Sequence, residues 1–420
     1  MSAQAHPVAD HLGDRPPGEP LGDPPPGASP PDGPPDGAPL GETPARPFWS
    51  VVREALHGSQ HDFSRGPLGR AILLLAVPMV LEMAMESVFA VTDIFFVAHL
   101  GPAATAAVGL TESLLGAVYA LAMGLAIAAT ALVARRVGEQ DPEGAARAAG
   151  QAVLLSAGVA AVLGAFGVVL APRLLALMGA SPEVLAVGTG YTRVMLGGEA
   201  SIILLFVANA IFRGAGDPAV AMRTLWIANG INIVLGPLLI FGPGPLPALG
   251  VTGAAVATTI GRGTGAAVAL WQLSRAARGG AATRVHLAAR HLRPDRASLG
   301  AIVRLAGSAT LQNAVNTVSW VFLLRVVALF GTTALAGYTV AIRLVIFALL
   351  PAWGLSNAAA TPVGQSLGAK DPARAEKAVW TTGWYNAAFL GAVGLAFMVL
   401  ARPLVGVFTP DREVVALAVR

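Results

Sequence analysis

Three carboxylates, Glu82, Glu86 and Asp93, interrupt an otherwise apolar run, AILLLAVPMVLEMAMESVFAVTDIFFVAHL, at residues 71–100. Spacings of four and seven place all three within about 40° of one another on a single helical face. A carboxylate held among apolar side chains resists ionisation and responds to any cation or hydrogen-bond donor that approaches it. Such a group can take up and release a proton, or bind Na⁺, in step with a change of shape. That is the chemistry of ion coupling. The plainer alternative is that Glu82 snorkels or bonds a neighbouring helix. Oxygen- and amide-bearing partners recur on the following apolar segments: Thr111, Glu112, Glu199, Asn209, Asn229, Asn232, Thr258 and Thr259. Asn229 and Asn232 share a face at i, i+3. Taken singly, each also serves as polar glue between helices.

Other chemistries find little support. The chain has no Cys, which removes thiolate nucleophiles and thiolate metal sites. HExxH, P-loop and GxSxG patterns are absent from it, so neither an enzyme, a metal centre nor a cofactor is expected. The net charge of +4 is accounted for by Arg-rich loops, and nucleic acid is not an expected partner.

These residues must be positioned by membrane-spanning helices. The 420 residues are 55% hydrophobic and only 12% charged, where soluble domains carry about 25% charge. The composition predicts an all-α polytopic membrane protein. Spans are expected at about 70–98, 105–134, 145–171, 183–212, 218–241, 250–274, 300–329, 335–362 and 376–400, with a tenth beginning near Arg412. Each complete span is long enough to cross about 30 Å of hydrocarbon. Pro78, Pro351 and Pro362 fall inside predicted spans, where they would bend the helix. Residues 1–48 are rich in Pro, Gly and Asp and are expected to be a disordered tail. Residues 49–69 form an amphipathic lead-in. Basic loops alternate with loops lacking Lys and Arg, which places the N-terminus and the 275–296 linker in the cytoplasm of a multi-pass protein of the inner (plasma) membrane.

The sequence also resembles itself at a shift of about 230 residues. AILLLAVPMVLEMAMESV (71–88) lies on AIVRLAGSATLQNAVNTV (301–318), and VARRVGEQDPEGAARA (133–148) on VGQSLGAKDPARAEKA (363–378). The first unit holds six spans, so the two units are parallel repeats related by an axis along the membrane normal. Three regions follow: a six-helix lobe at 70–275, a basic cytoplasmic linker at 276–299, and a partial second lobe at 300–420. The repeat predicts nearly three further spans beyond Arg420. In the second unit Glu82, Glu86 and Asp93 become Gln312, Asn316 and Leu323. Titration is therefore expected in the first lobe. The stripe of Gln312, Asn313 and Asn316 is expected to line the substrate pathway.

AVTDIFFVAHLGPAATAAVGL (90–110), ANAIFRGAGDP (208–218), NIVLGPLLIFG (232–242) and GVTGAAVATTI (250–260) resemble the multidrug and toxic compound extrusion (MATE) family over about residues 70–420. The resemblance implies a V-shaped, two-lobe exporter that couples to a cation, H⁺ ahead of Na⁺, and releases amphipathic organic compounds or drugs. It implies that Asp93 belongs to the cation site of the first lobe, with Asn209, Asn232 and Thr258 around it, and Glu86 beside it. Glu82, Glu112 and Glu199 are additional candidates. Two departures stand out: Gly236 occupies a position where many members carry Asp, and Asn316 one where the sodium-linked branch carries Glu. The protein is expected to work as a monomer on a small organic substrate. The rival expectations are a lipid-linked oligosaccharide flippase of the same superfamily and a truncated membrane protein that does not transport.

Overall fold

The computed structural model describes residues 48–58, 63, 66–243, 247–276, 285–330, 332–406 and 412–419, and the regular elements among them are all helices. Of the tail at 1–48, where disorder is expected, residues 1–47 lie outside them, and Phe48 belongs to the first helix. In chain order the helices are α1 (Phe48–His57), α2 (Leu68–Ala98), α3 (Pro102–Gly138), α4 (Pro142–Leu177), α5 (Pro182–Gly197), α6 (Glu199–Ala215), α7 (Pro218–Phe241) and α8 (Val251–Ala276). A short 3₁₀ turn at Ala289–Leu292 leads into α9 (Arg296–Ala328), α10 (Thr332–Asn357), α11 (Ala360–Gly368), α12 (Pro372–Gly406) and α13 (Arg412–Val419). Among the described residues, Leu68–Ala98, Pro102–Gly138, Pro142–Leu177, Pro182–Ala215, Pro218–Phe241 and Pro372–Gly406 are long and apolar enough to cross a membrane. Helix α8 is outside that set. It carries Thr258, Thr259, Arg262 and Thr264 in its middle, and those residues prove to matter.

Two predicted spans are each broken in two. The segment expected at 183–212 consists of α5 and α6, which meet at Gly197 and Gly198. A side chain at Gly198 would press on Thr259 Oγ1, 2.6 Å from its Cβ, so the paired glycines let α8 come close where the helix is interrupted. The segment expected at 335–362 ends at Asn357 and restarts at Ala360. Pro362 has no N–H with which to serve the carbonyl of Ala358, so the helix breaks there and resumes with Pro362 in its first turn. Pro362 therefore does not sit inside a span. Pro78 and Pro351 do lie inside helices.

The repeat is visible in the backbone. Helices α3, α4 and α5 start at Pro102, Pro142 and Pro182, and α10, α12 and α13 start 230 residues later at Thr332, Pro372 and Arg412. The loop between α3 and α4 and its mate between α11 and α12 each turn through a left-handed residue, Gln140 (φ 56°) and Lys370 (φ 61°). In each copy the following Asp caps the next helix: Asp141 accepts from the Gly144 N–H at 2.8 Å and Asp371 from the Arg374 N–H at 2.9 Å.

The first lobe is built around α3 and α6, with Leu125, Ile203, Ile211 and Phe212 fully buried. The two repeats meet at one end of the bundle. There Gly354 lies against the backbone of Met79 and Val80, and Gly124 against Ala306 and Thr310. Gly138 fits against Gln365 while Gly368 fits against Arg135. At the opposite end Val88, Val91, Ile94 and Phe95 of α2, and Val315, Val318 and Phe322 of α9, are exposed. Joined at one end and parted at the other, the lobes form a V.

Candidate functional site

Apart from Arg70, Ser87 and Thr92, the polar residues of α2 are its acidic stripe, which meets α6 at Glu82 and α7 and α8 at Glu86. The acids lie at successive depths, about 6 Å from Glu82 to Glu86 and about 10 Å from Glu86 to Asp93 at 1.5 Å per residue. Each has its own surroundings.

Glu82 is the deepest in the seam. Its Oε1 accepts from Arg213 Nη1 of α6 at 2.9 Å, and Asn209 of α6 sits beside it. Arg213 lies at the lobe junction, where its carbonyl accepts from the Thr361 hydroxyl at 2.7 Å. Asn209 was expected around Asp93. The structure gives it to Glu82 instead, because Asn209 lies one helical turn before Arg213 on α6.

Glu86 is held from two sides. Arg262 Nη2 of α8 donates to Oε1 at 2.9 Å, and Asn229 Nδ2 of α7 donates to Oε2 at 3.0 Å. Arg262 is 3% exposed. Its guanidinium carbon lies 5.4 Å from the centre of the Phe89 ring and 5.8 Å from that of Tyr119, within cation–π range. Arg262 Nε and Nη1 have no hydrogen-bond partner.

Asp93 is partly buried. It interacts electrostatically with Glu112 of α3 and with Arg262. The buried Tyr191 of α5 faces the same charges, and the next residue, Thr192, hydrogen-bonds Thr111 at 2.8 Å. Asn232 donates to Thr258 Oγ1 at 2.7 Å, pairing α7 with α8. Gly261, one turn along α8, gives the close approach by fitting against the Ala228 carbonyl and Asn232. Glu199, 1% exposed, opens α6 just after the Gly197–Gly198 break, and its Oε2 has no partner.

The structure therefore brings Glu86, Asp93 and Glu112 together with Arg262, Asn229, Tyr119 and Tyr191. Glu82 and Asn209 form a separate group, and Asn232 and Thr258 pair next to the first. Gln312, Asn313 and Asn316 lie on the parted end of α9, and none of their side chains hydrogen-bonds the first-lobe acids. Arg262 is the residue that the sequence reading missed. A lone Arg amid GRGTGAAV, inside a predicted span, was the available signal, since a cation at mid-span is rare and seldom idle. Among the described residues, no group of three or more His, Asp or Glu is arranged to hold a metal ion. The cluster can hold fixed and mobile positive charge, but it offers no nucleophile–base pair for bond making.

The family model described as MatE matches residues 78–238 and 308–420. The chain is 27% identical over 359 residues to a FAD transporter of Shewanella oneidensis, covering 84% of this chain and 77% of that protein. It is 26% identical over 356 residues to the probable multidrug resistance protein NorM of Thermotoga maritima, covering 83% and 74%. It also matches a solved structure described as the outward-facing conformation of a multidrug resistance MATE family transporter. That match has a TM-score of 0.77 and 28% identity, and covers 85% of this chain and 78% of that one.

Proposed function

The chain belongs to the MatE family, a family of transporters rather than enzymes, and from that premise we propose that it is a cation-coupled antiporter. It exports amphipathic organic compounds in exchange for H⁺, in preference to Na⁺. Asp93 and Glu86 form the coupling site, Glu112 lies beside them, and Asn232 and Thr258 set the spacing of α7 and α8 around it. The observation that carries this reading is the convergence of three acids from α2 and α3 on a partly buried wall of the first lobe, close to the parted end of the V. A proton taken up there removes a charge from the wall between the lobes. It changes which packing of α2 against α7 and α8 is favoured, and alternating access follows as one lobe rocks against the other.

Gln312, Asn313 and Asn316 face the parted end from the other lobe and line the substrate's route. Residues 70–275 and 300–420 act as the two lobes, with 276–299 as the linker between them. The protein is multi-pass and sits as a monomer in the plasma membrane, with the N-terminus and linker on the cytoplasmic side. Arg70, Arg135, Arg136, Arg275 and Arg290 all lie at the joined end, as the positive-inside rule asks of a cytoplasmic face.

The experiment is efflux from proteoliposomes under an imposed gradient of either pH or Na⁺, with ethidium as the probe. Efflux driven by the pH gradient supports the reading, and efflux indifferent to both gradients opposes it. A second reading, export of a flavin dinucleotide, is favoured by the FAD transporter relative. It predicts that FAD moves in the same vesicles while ethidium does not.

A further inference from the structure

A coupling site made of acids leaves Arg262 unexplained. A guanidinium at mid-span is costly unless something holds it, and here much of its surroundings is built to hold a cation. Glu86 meets it at 2.9 Å, the Phe89 and Tyr119 rings flank it, and Asp93 attracts it from further along α2. Both oxygens of Glu86 already accept a hydrogen bond: Arg262 takes Oε1 and Asn229 takes Oε2. The remaining charged groups on the helices packed against α8 are Arg70 at the start of α2, which is paired with Glu54, Glu82, which is paired with Arg213, Glu183 in the first turn of α5, Glu199 at the start of α6, the exposed Arg193 of α5, and Arg223 in the first turns of α7. None of them takes the place of Arg262 at Glu86.

We propose that Arg262 is the resident cation of the first-lobe acid cluster, so that the cluster exchanges protons and excludes Na⁺. This rests on the reading of that cluster as the coupling site. A sodium ion bound between Glu86 and Asp93 would share its carboxylates with a fixed positive charge a few ångströms away. At about 4 Å and an effective dielectric near 20, that repulsion weakens binding on the order of a thousandfold. It would also have to share any oxygen of Glu86 with the guanidinium or the Asn229 amide. A proton meets the same repulsion, but it needs only one lone pair and no coordination shell. It joins Asp93, which lies further from the guanidinium than Glu86 does, and cancels that charge. Ionised Asp93 draws Arg262 through its Nε and Nη1, which no acid holds, and protonated Asp93 leaves it to Glu86. The ion pair thus changes partners along α2, and a metal cation has no vacant position in the sequence of states.

The test is binding of ²²Na⁺ to the purified protein at alkaline pH, where carboxylates are free of protons. Wild type is expected to bind no saturable ²²Na⁺. Arg262→Gln removes the fixed charge and should gain saturable binding, tighter by on the order of a hundredfold or more. That binding should vanish again in Arg262→Gln/Asp93→Asn, while Arg262→Lys, which keeps the charge, should stay without it. Saturable, Asp93-dependent binding by wild type overturns the proposal, and so does a folded Arg262→Gln variant that binds none. If Arg262→Gln does not fold, wild type decides alone. Adding Na⁺ to the lightly buffered protein should release no protons, and release would show that Na⁺ competes with H⁺ for the acids. Because binding is read without transport, a failure of gradient-driven efflux would overturn the antiport reading while leaving the ion selectivity of the cluster separately decided.

Discussion

Arg213 donates to Glu82 at 2.9 Å while its own carbonyl accepts from the Thr361 hydroxyl at 2.7 Å, so a single residue of α6 ties α2 to the other lobe. The side-chain exposures of the pair are unequal, 18% for Arg213 and 4% for Glu82. That inequality decides which half of the pair can be lost.

Removing Glu82 as Glu82→Gln leaves an arginine that can reach toward water. Removing Arg213 as Arg213→Met leaves a buried acid with nowhere to go. Breaking a buried pair by deleting one partner costs about 3–5 kcal/mol. Arg213→Met should fall in that range and Glu82→Gln below it. The double variant Glu82→Leu/Arg213→Met should recover most of the loss. Thermal unfolding in detergent provides the comparison, and equal destabilisation by the two single changes would show that the difference in exposure has no consequence.

The joined end of the V depends on glycines that are repeat mates. A Cβ at Gly138 would overlap the backbone of Gln365, and one at Gly368 would overlap the carbonyl of Arg135. Backbone cannot step aside as a side chain does, so Gly138→Val and Gly368→Val should each cost about 1–3 kcal/mol or more. A crosslink between cysteines introduced at 135 and 365 would report the seam directly. It should form readily in the parent and be lost in either valine variant. Undiminished crosslinking in both would mean that the lobes do not pack there.

The end of the linker is strapped to α4 by Gln151, which is fully buried. Its amide donates to the carbonyls of His291 at 2.8 Å and Arg293 at 2.7 Å, and its oxygen accepts from the Asp295 N–H at 2.9 Å. Gln151→Ala leaves three backbone groups without their partner and should cost about 1–3 kcal/mol. Limited proteolysis should then cut between 285 and 295 several-fold faster. An unchanged cleavage rate would place the strap's strength elsewhere, for instance in the contact of His291 Nε2 with Glu143 at 3.0 Å.

The acids of α2 were legible because they are the ionised groups of a run otherwise almost wholly apolar, with Ser87, Thr92 and His99 as its other polar residues. Their spacing alone puts the three carboxylates on one face. The fold class was legible for the same reason, and the repeat was legible in Asp141-Pro142 and Asp371-Pro372. What each acid meets was not. Asn209 and Asn232 look equivalent in sequence, but depth in the bundle assigns one to Glu82 and the other to Thr258. Arg262 escaped because it sits among Gly and Thr, where a cation reads as loop chemistry, and only the crossing of α8 over Phe89 and Glu86 reveals its role. The break at Gly197–Gly198 was hidden in a run apolar enough to read as one span, and its cause, the approach of Thr259, is tertiary.

The central claim is that the first-lobe acids couple a cation gradient to export, and Asp93→Asn tests it most directly. Asparagine keeps the size and hydrogen-bonding capacity of the side chain while removing its charge and its proton exchange. In proteoliposomes under an imposed pH gradient, wild type should extrude ethidium. Asp93→Asn, inserted at equal density, should lose gradient-driven efflux by at least tenfold while still binding ethidium, because binding and coupling are separate terms of the cycle. Efflux by Asp93→Asn at the wild-type rate under the same gradient would contradict the account.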